Sequence, residues 1–405
     1  MEETIKNQIL DTVASYQDDI LQFTQQLITI ATENPPGMFY KPCIETIQHK
    51  LMELGLDCQV IEVPMQGLES EPRYCILSYY GTGERTFYFH GHYDVVPAFS
   101  LEQFQPYVKG NNLFGRGSSD MKGGLAAMIY AVKAIQTCNI ELNGQIGLTI
   151  VPDEETGGEL GTKYLSENNI LGKNGIGMLL AEPTSGVVWN ANRGAISFRV
   201  VVKGKPAHVG LHYQGINAFE KMLIVANAFL ELKKEVETRR TAYNIEPDAA
   251  RCSILMMGGQ CTGGSNFNSV PGECSFTIDR RINPEENLEV EKRRIIETLE
   301  RLRKDGIDLE IEVSQEAESA GISEDHSLAQ TLARNIEAVK GKRPKFELCP
   351  GLLESRFYEK AGVPAFAYGP GLLSVSHGPN EFVNIEEIYR CTSMYALTAL
   401  DTLLD

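Results

Sequence analysis

The sequence has no cysteine pairs, no long apolar run and comparatively few basic residues. Its nine cysteines are odd in number and scattered along 405 residues, with no C-x-x-C pair. This usage argues against a disulfide framework and favours reduced thiols in a cytosol. No apolar run approaches the about 20 residues that a membrane span needs. The N-terminus lacks the basic start and apolar stretch of a signal peptide, so we expect a cytoplasmic protein.

The shortage of positive charge limits the partners that this protein can bind. Lysine and arginine total 37 against 54 acidic residues, which gives a formal net charge of −17. Nucleic acids and anionic membranes attract basic surfaces, so we expect neither as a partner. Hydrophobic residues make up 42% and charged residues 22% of the chain, as in ordinary globular proteins. A chain of this length is long enough for two domains.

The order of periodic segments predicts a two-domain α/β protein. A helical period runs over residues 5–30, and strand-like and helix-like stretches then alternate to about residue 188, as in a βαβ sheet. A different unit follows, with the order βαββαβ of a ferredoxin-like fold; its segments are 195–202, 218–236, 252–257, 274–282, 288–302 and 309–313. We predict a catalytic α/β domain with a mixed sheet at 1–192 and 318–405, interrupted by a ferredoxin-like lid domain at 193–317.

Acids and histidines follow four strand-like runs of the predicted catalytic domain. They are His92 and Asp94 after 86–89, Glu154 and Glu155 after 146–151, Glu182 after 178–180, and His377 after 365–368. Ligands bind outside the carboxyl ends of strands in open α/β sheets, so these side chains can converge on one point. Asp120, in the glycine-rich segment 115–124, can join them. Each residue alone is typical of a solvated surface, but together they predict a two-metal hydrolase.

Two local patterns refine the predicted site. In His92-x-Asp94 both side chains lie on the same side of an extended segment, so Asp94 can hold the far ring nitrogen of a metal-binding histidine. Glu154 and Glu155 are adjacent, and their side chains diverge on an extended backbone. One of them can therefore bind a metal while the other faces a bound water.

Five motifs resemble the co-catalytic zinc amidohydrolases and metallopeptidases, and they occur in that family's order over nearly the whole chain. They read HGHYDVVP, GRGSSDMKGG, DEETGG, AEPT and SHGPNE. Members of the family include aminoacylase, acetylornithine deacetylase, succinyl-diaminopimelate desuccinylase and glutamate carboxypeptidase. The resemblance implies two zinc sites that share a bridging residue, Asp120; their ligands are His92, Asp120 and Glu182 for one ion, and Asp120, Glu155 and His377 for the other. It also implies that Glu154 is the general acid/base, that Asp94 supports His92, and that a cis peptide follows Asp120.

The same resemblance assigns roles to the predicted lid. It implies that His208 donates a hydrogen bond to the oxyanion, that Asn268 contacts the substrate, and that Arg281 holds the α-carboxylate. Arg280 is then expected to point outward. In many dimeric relatives the lid histidine comes from the partner subunit, so we expect a homodimer that forms through the lid.

The segment 350–357 departs from the family's Gly-Gly-Thr pattern. A leucine stands where relatives have a threonine that can hydrogen-bond the substrate. This change disfavours succinyl-diaminopimelate, because the distal polar groups of that substrate need partners. Arg356 is kept and can contact a substrate carboxylate or support the loop. His90, by contrast, is expected to pack near the site without ligating.

These residues predict hydrolysis of the amide bond of an N-acyl amino acid or a related small N-acylated amine, as in acetylornithine deacetylase and desuccinylase. A metal-bridged water would be the nucleophile and Glu154 the general base. The ligand set suits two divalent ions and does not choose among zinc, cobalt and manganese; the resemblance to the zinc amidohydrolases puts zinc first. A dipeptidase or carboxypeptidase with the same site remains open, as does a non-catalytic binder of the same fold.

Overall fold

The computed structural model describes residues 3–64 and 71–404. The chain divides into two compact units: the first comprises Met1–Asn190, Ile322–Phe346 and Glu354–Asp405, and the second comprises Ala191–Gly321 and Glu347–Leu353. The predicted functional domains, 1–192 with 318–405 and 193–317, remain a prediction. Among the described residues, no helix is long and apolar enough to cross a membrane.

A mixed sheet forms the centre of the first unit. Its strands lie in the order Cys58–Val63, Arg73–Thr82, Gly144–Val151, Thr86–His92, Gly175–Leu180, Ala365–Ala367 and Val188–Asn192. The four strands from Gly144–Val151 to Ala365–Ala367 run parallel, and the outer pairings are antiparallel. All residues of Thr86–His92 are buried, as expected for a parallel strand covered on both faces. The carboxyl ends of the four parallel strands therefore share one edge.

Helices pack on this sheet. The described helices of the unit are Glu3–Ser15, Gln17–Ile28, Tyr40–Glu53, Gly123–Thr137, Thr162–Glu167, Ser327–Lys340, Ser355–Lys360 and Ile385–Leu404. Gly123–Thr137 and Ile385–Leu404 contact each other and two of the central strands. A small antiparallel sheet combines Tyr107–Lys109, Asn112–Phe114 and Phe382–Asn384. Short helical turns occupy Leu101–Phe104 and Glu154–Thr156.

The N-terminal helical period forms two helices rather than one. The chain leaves helical geometry at Tyr16, where φ is −100° and ψ is 3°. The Tyr16 ring packs 5.8 Å from that of Tyr130, and its hydroxyl lies 2.9 Å from the Thr137 hydroxyl. These contacts with the helix Gly123–Thr137 stabilise the break, which the apolar period alone does not reveal.

The second unit has an antiparallel sheet covered by two helices. Its strands lie in the order Ile254–Gly263, Glu273–Ile282, Gly194–Lys203 and Leu309–Ala317, and its helices are Ala218–Val236 and Leu288–Lys304. Along the chain this is the predicted βαββαβ order. Its remaining elements are the ribbon of Ala207–His208 with Ser269–Val270, the turns Val209–Gln214 and Asp248–Arg251, and the strand Ala320–Gly321. The strand Phe346–Cys349 spans the boundary between the units.

Candidate metal centre

Four parallel strands place predicted ligands at one edge of the sheet of the first unit. His92 is the last residue of its strand, and Glu182 follows Leu180 by two residues. Glu155 lies in the turn that follows Val151. His377 lies in the loop after Ala365–Ala367, with a left-handed φ of 63°. The strand ends thus bring together side chains that are far apart in sequence, as the sheet rule predicts.

Asp120 enters the site from the irregular turn Ser118–Lys122. Its φ of −124° and ψ of 97° are not helical, and its peptide bond to Met121 is cis, as the family resemblance implied. The following helix starts close to the strand end that carries Glu182. A side chain at Gly124 would bring its Cβ to 2.4 Å from the Ala181 carbonyl oxygen, so only glycine permits this approach.

The two carboxylate oxygens of Asp120 face two different histidines. Oδ1 lies 3.2 Å from Nε2 of His92, and Oδ2 lies 3.3 Å from Nε2 of His377. Glu182 Oε1 lies 3.7 Å from the same His92 nitrogen, and Glu155 Oε2 lies 3.1 Å from that of His377. Two triads result, each with ligand atoms within 4.8 Å of one another, and Asp120 belongs to both. This is the arrangement expected of a carboxylate that bridges two ions.

The chemistry of these residues fits divalent cations. Glu182 Oε1 is buried and has no hydrogen-bond partner, and a buried carboxylate oxygen needs a donor or a cation. His92 Nδ1 lies 3.0 Å from the Asp94 carbonyl oxygen and 3.3 Å from its Oδ1. A proton on Nδ1 that is donated to Asp94 leaves the Nε2 lone pair free for a metal.

Proton affinities in the cluster show how strongly it attracts positive charge. Burial and the nearby Asp120 charge raise the pKa of Glu182 well above its usual range. Hydrogen bonds to Asp120 and Glu155 raise the pKa of His377 to about 10. Burial alone would raise the pKa of Asp120, but hydrogen bonds from His377 and His92 lower it. Bound cations would satisfy the same carboxylates and displace these protons.

Glu154 lies beside the cluster without belonging to either triad. Burial raises the pKa of its carboxyl well above the usual range; the His92 charge opposes this shift, and the Glu155 charge adds to it. A carboxyl with a raised pKa beside a cluster of potential metal ligands is a candidate for proton transfer.

Comparison with known proteins identifies the family. Residues 88–401 match the model described as peptidase family M20/M25/M40. The chain belongs to this family.

Several relatives and solved structures align with most of this chain. A protein of Staphylococcus epidermidis named a probable succinyl-diaminopimelate desuccinylase is 24% identical over 92% of this chain and 94% of its own length. The succinyl-diaminopimelate desuccinylase of Pelagibacter ubique is 25% identical over 86% of this chain and 90% of its own. The solved structure of aminopeptidase PepT from Bacillus cereus has a TM-score of 0.75 at 20% identity, covering 96% of this chain and 99% of PepT. Human carnosine dipeptidase 1 also has a TM-score of 0.75, at 17% identity and 99% coverage of both chains.

These findings confirm several predictions. The family recognised from the motifs is the one that matches, and the two-domain α/β fold with a mixed sheet is confirmed. The chain is a hydrolase of the M20 type that acts on C–N bonds, and its family is metal-dependent. The homologues act on small acylated amino acids or peptides.

A buried ion pair that the sequence analysis did not single out supports the cluster of proposed metal ligands. Arg116 Nη1 lies 2.6 Å from Oε2 of Glu381, and both side chains are only 1% exposed. Glu381 Oε1 accepts hydrogen bonds from the amides of Ser119 and Asp120, and Arg116 Nη2 donates to the His377 carbonyl oxygen. One pair thus contacts two members of the cluster. Arg116 lies inside the motif GRGSSDMKGG and Glu381 inside SHGPNE. The motifs could therefore have pointed to both residues.

The segment after residue 353 contacts the turn that carries Glu154 and Glu155. Arg356 is buried and donates from Nη2 to the Gly157 carbonyl oxygen at 2.9 Å. Glu354 Oε2 lies 2.7 Å from Nε2 of His90, and both side chains are buried. Arg356 therefore supports this loop, one of the two roles that the sequence left open, while its contact with substrate remains a prediction. His90 belongs to neither triad.

The second unit contains the remaining predicted residues. His208 pairs with Ser269 in its two-stranded ribbon, and next to this pair the Val209 amide donates to the Asn268 carbonyl oxygen at 2.9 Å. Arg281 is partly exposed and donates from Nε to Asp279 at 2.9 Å. Their contacts with substrate remain predictions.

The expectation that Arg280 points outward is wrong. Arg280 is fully buried and pairs with Glu286 at 2.5 Å and Glu291 at 2.9 Å. A guanidinium can occupy the inner face of a sheet when carboxylates satisfy its donors. Because successive side chains alternate across a strand, Arg281 then lies on the opposite face.

Proposed function

We propose that this protein hydrolyses the amide bond of an N-acyl amino acid or a related small N-acylated amine. The observation that supports this most is the pair of triads that share Asp120, with Glu154 beside them. The proposed ligands are those of the sequence interpretation: His92, Asp120 and Glu182 for one ion, and Asp120, Glu155 and His377 for the other. Zinc is the proposed metal, with cobalt or manganese as alternatives.

The residues divide the chemical work among them. Two divalent ions, when bound, would activate a water and polarise the substrate carbonyl. Glu154 accepts the proton of the attacking water and delivers it to the amine nitrogen as the C–N bond breaks. Asp94 orients the His92 ring and accepts the amide hydrogens of Glu154 and Glu155, each at 3.2 Å. The acid/base group and two of the proposed ligands, His92 and Glu155, are therefore held by the same carboxylate.

A panel of substrates tests the proposal. It contains N-acetyl, N-succinyl and N-formyl amino acids beside dipeptides, each assayed with added zinc or cobalt and after chelation. We expect metal-dependent hydrolysis of N-acyl amino acids, and weaker activity on succinyl-diaminopimelate because a leucine in the segment 350–357 replaces a hydrogen-bonding threonine. Turnover confined to dipeptides would favour a dipeptidase or carboxypeptidase. Metal binding without turnover of any member would instead indicate a non-catalytic relative.

Arg281 is proposed to hold the substrate's α-carboxylate through its planar guanidinium fork. Arg281→Ala should raise KM and lower kcat/KM for substrates with a free α-carboxylate, by about 10-fold or more since a charge-assisted hydrogen bond contributes ~1.5–3 kcal/mol. Kinetics on matched free acids and methyl esters measure the effect. Esterified substrates should change little. Equal losses on both would give Arg281 a purely structural role.

We also propose a cytoplasmic homodimer that forms through the second unit. The odd number of cysteines and the lack of a C-x-x-C pair fit a reducing compartment. The helix Ala218–Val236 exposes Phe219, Leu223 and Leu230 by 44–46% each. Their spacing places them on one face, and a second copy of this face would bury it in a two-fold interface.

His208 is proposed to donate its hydrogen bond in the partner's active site. Homodimers of His208→Ala and of Glu154→Gln should then both be inactive. Subunit exchange between them should restore activity, up to about half per heterodimer, because one of its two sites has both groups intact. Exchange is followed by mass spectrometry and activity by amide hydrolysis. Proven exchange without recovery would contradict the role in trans.

A further inference from the structure

The loop after the second helix of the chain contains a buried asparagine to which the mechanism assigns no role. Asn34 follows the helix Gln17–Ile28 and is 2% exposed. Its backbone amide donates to the Val95 carbonyl oxygen at 2.8 Å. Its side-chain nitrogen Nδ2 lies near three acceptors: Asp94 Oδ2 at 2.9 Å, Thr156 Oγ1 at 3.0 Å and Asp153 Oδ1 at 3.2 Å.

These acceptors are the groups that shape the turn carrying Glu154 and Glu155. Asp94 accepts both of that turn's leading amides. Asp153 Oδ1 accepts from the Thr156 hydroxyl at 2.6 Å, and its Oδ2 accepts from the Leu160 amide at 2.9 Å. Asn34 is therefore the donor that links Asp94, which contacts His92, to Asp153, which closes the turn.

Charge explains why an amide suits this position. Asp94 is fully buried and Asp153 is 4% exposed, and two buried carboxylates that share one neighbour repel each other. A neutral NH₂ group can donate to both without adding charge. Aspartate has nearly the same shape but offers only acceptors when ionised, so it would add a third negative charge.

We propose that Asn34 is a positioning residue that fixes the Glu154–Glu155 turn relative to Asp94 and His92. This inference rests on the proposed function, because it assigns Glu154 the proton transfer that the turn must align. None of the three acceptors of Asn34 Nδ2 belongs to a triad, so Asn34 acts indirectly, on the rate of the chemical step through the placement of Glu154 and on one metal site through that of Glu155. Substrate binding depends on other residues.

The test compares Asn34→Asp and Asn34→Ala. We expect kcat to fall about 10- to 100-fold for Asn34→Ala, as is typical when a partner that orients a reactive group is lost, and further for Asn34→Asp. Both variants are assayed at saturating metal, because the same turn carries the proposed ligand Glu155, and KM should stay within about twofold. If Asn34 only fills space, the order reverses, since aspartate keeps the volume that alanine loses. That reversed order, or an unchanged kcat, would overturn the proposal.

Asn335 provides a matched control in the same unit. It is also buried, and its Nδ2 lies 3.1 Å from Asp401 Oδ2 and 3.3 Å from the Thr398 hydroxyl. Asn335→Asp and Asn335→Ala should lower the melting temperature while kcat stays within about twofold. If Asn34→Asp does not fold, Asn34→Ala alone decides, by its kcat at full metal content.

Hydrogen exchange separates a failure of this proposal from a failure of the proposed function. Asn34→Ala should speed exchange of the amides of Glu154 and Glu155, which Asn335→Ala should leave unchanged. This readout needs no substrate. Faster exchange in a protein that hydrolyses no member of the panel would refute only the function. Unchanged exchange in an active enzyme would refute only the role of Asn34.

Discussion

Glu154→Gln is expected to lower kcat by about 10²–10⁴-fold, the usual contribution of a positioned general acid/base. Glutamine keeps the length and shape of the side chain but cannot accept the proton of the attacking water. Because Glu154 belongs to neither triad, the variant should retain its full metal content and nearly unchanged substrate binding. The measurements are kcat and KM on the best substrate of the panel, together with metal analysis by mass spectrometry.

A control from the same loop excludes a general effect of removing a carboxylate. Glu159 is exposed and pairs with Lys163 at 2.5 Å, so Glu159→Gln should keep kcat within about twofold. If Glu154→Gln turned over substrate at a near-normal rate, another group would have to move the proton. Loss of metal along with activity would instead make Glu154 part of the ion-binding set.

The main elements were predictable from the sequence, but the continuation of several strands was not. The order of the second unit followed from its alternating strand and helix periods. The predicted strand 252–257 extends in fact from Ile254 to Gly263, across a register shift between Met257 and Cys261. The predicted strand 309–313 likewise continues to Ala317 across a shift between Val313 and Gln315. An irregularity reverses the alternation of side chains, so the period ends before the strand does.

The five proposed ligands were predictable because four of them follow parallel strands whose ends share one edge. The groups that hold these ligands in place were not predictable. Asn34 reaches acceptors that lie 60, 119 and 122 positions along the chain, and no local pattern records such contacts. Arg280 shows the same limit of local sequence patterns. Two adjacent arginines on a strand face opposite sides, and only the carboxylates Glu286 and Glu291 decide which side is buried.

Asp120→Asn is expected to weaken both metal sites, whereas each unshared carboxylate should affect one. The two oxygens of Asp120 face His92 and His377 respectively, and an amide supplies one weak, neutral oxygen ligand in place of two charged ones. Glu182→Gln should reduce occupancy of the site with His92, and Glu155→Gln that of the site with His377. Metal per chain after dialysis against a competing chelator measures all three.

The stoichiometries distinguish a bridge from two independent sites. Two ions per chain should be found in the unsubstituted protein and in Glu159→Gln, about one in each glutamate variant, and close to none in Asp120→Asn. The double variant of Glu155→Gln with Glu182→Gln should match Asp120→Asn, because it removes one charged ligand from each triad. If Asp120→Asn retained one ion at full occupancy, only one of the two sites would need the charge of the bridging carboxylate. If the unsubstituted protein itself bound only one ion per chain, the proposed two-ion mechanism would have to give way to a single metal with Glu154 as its base.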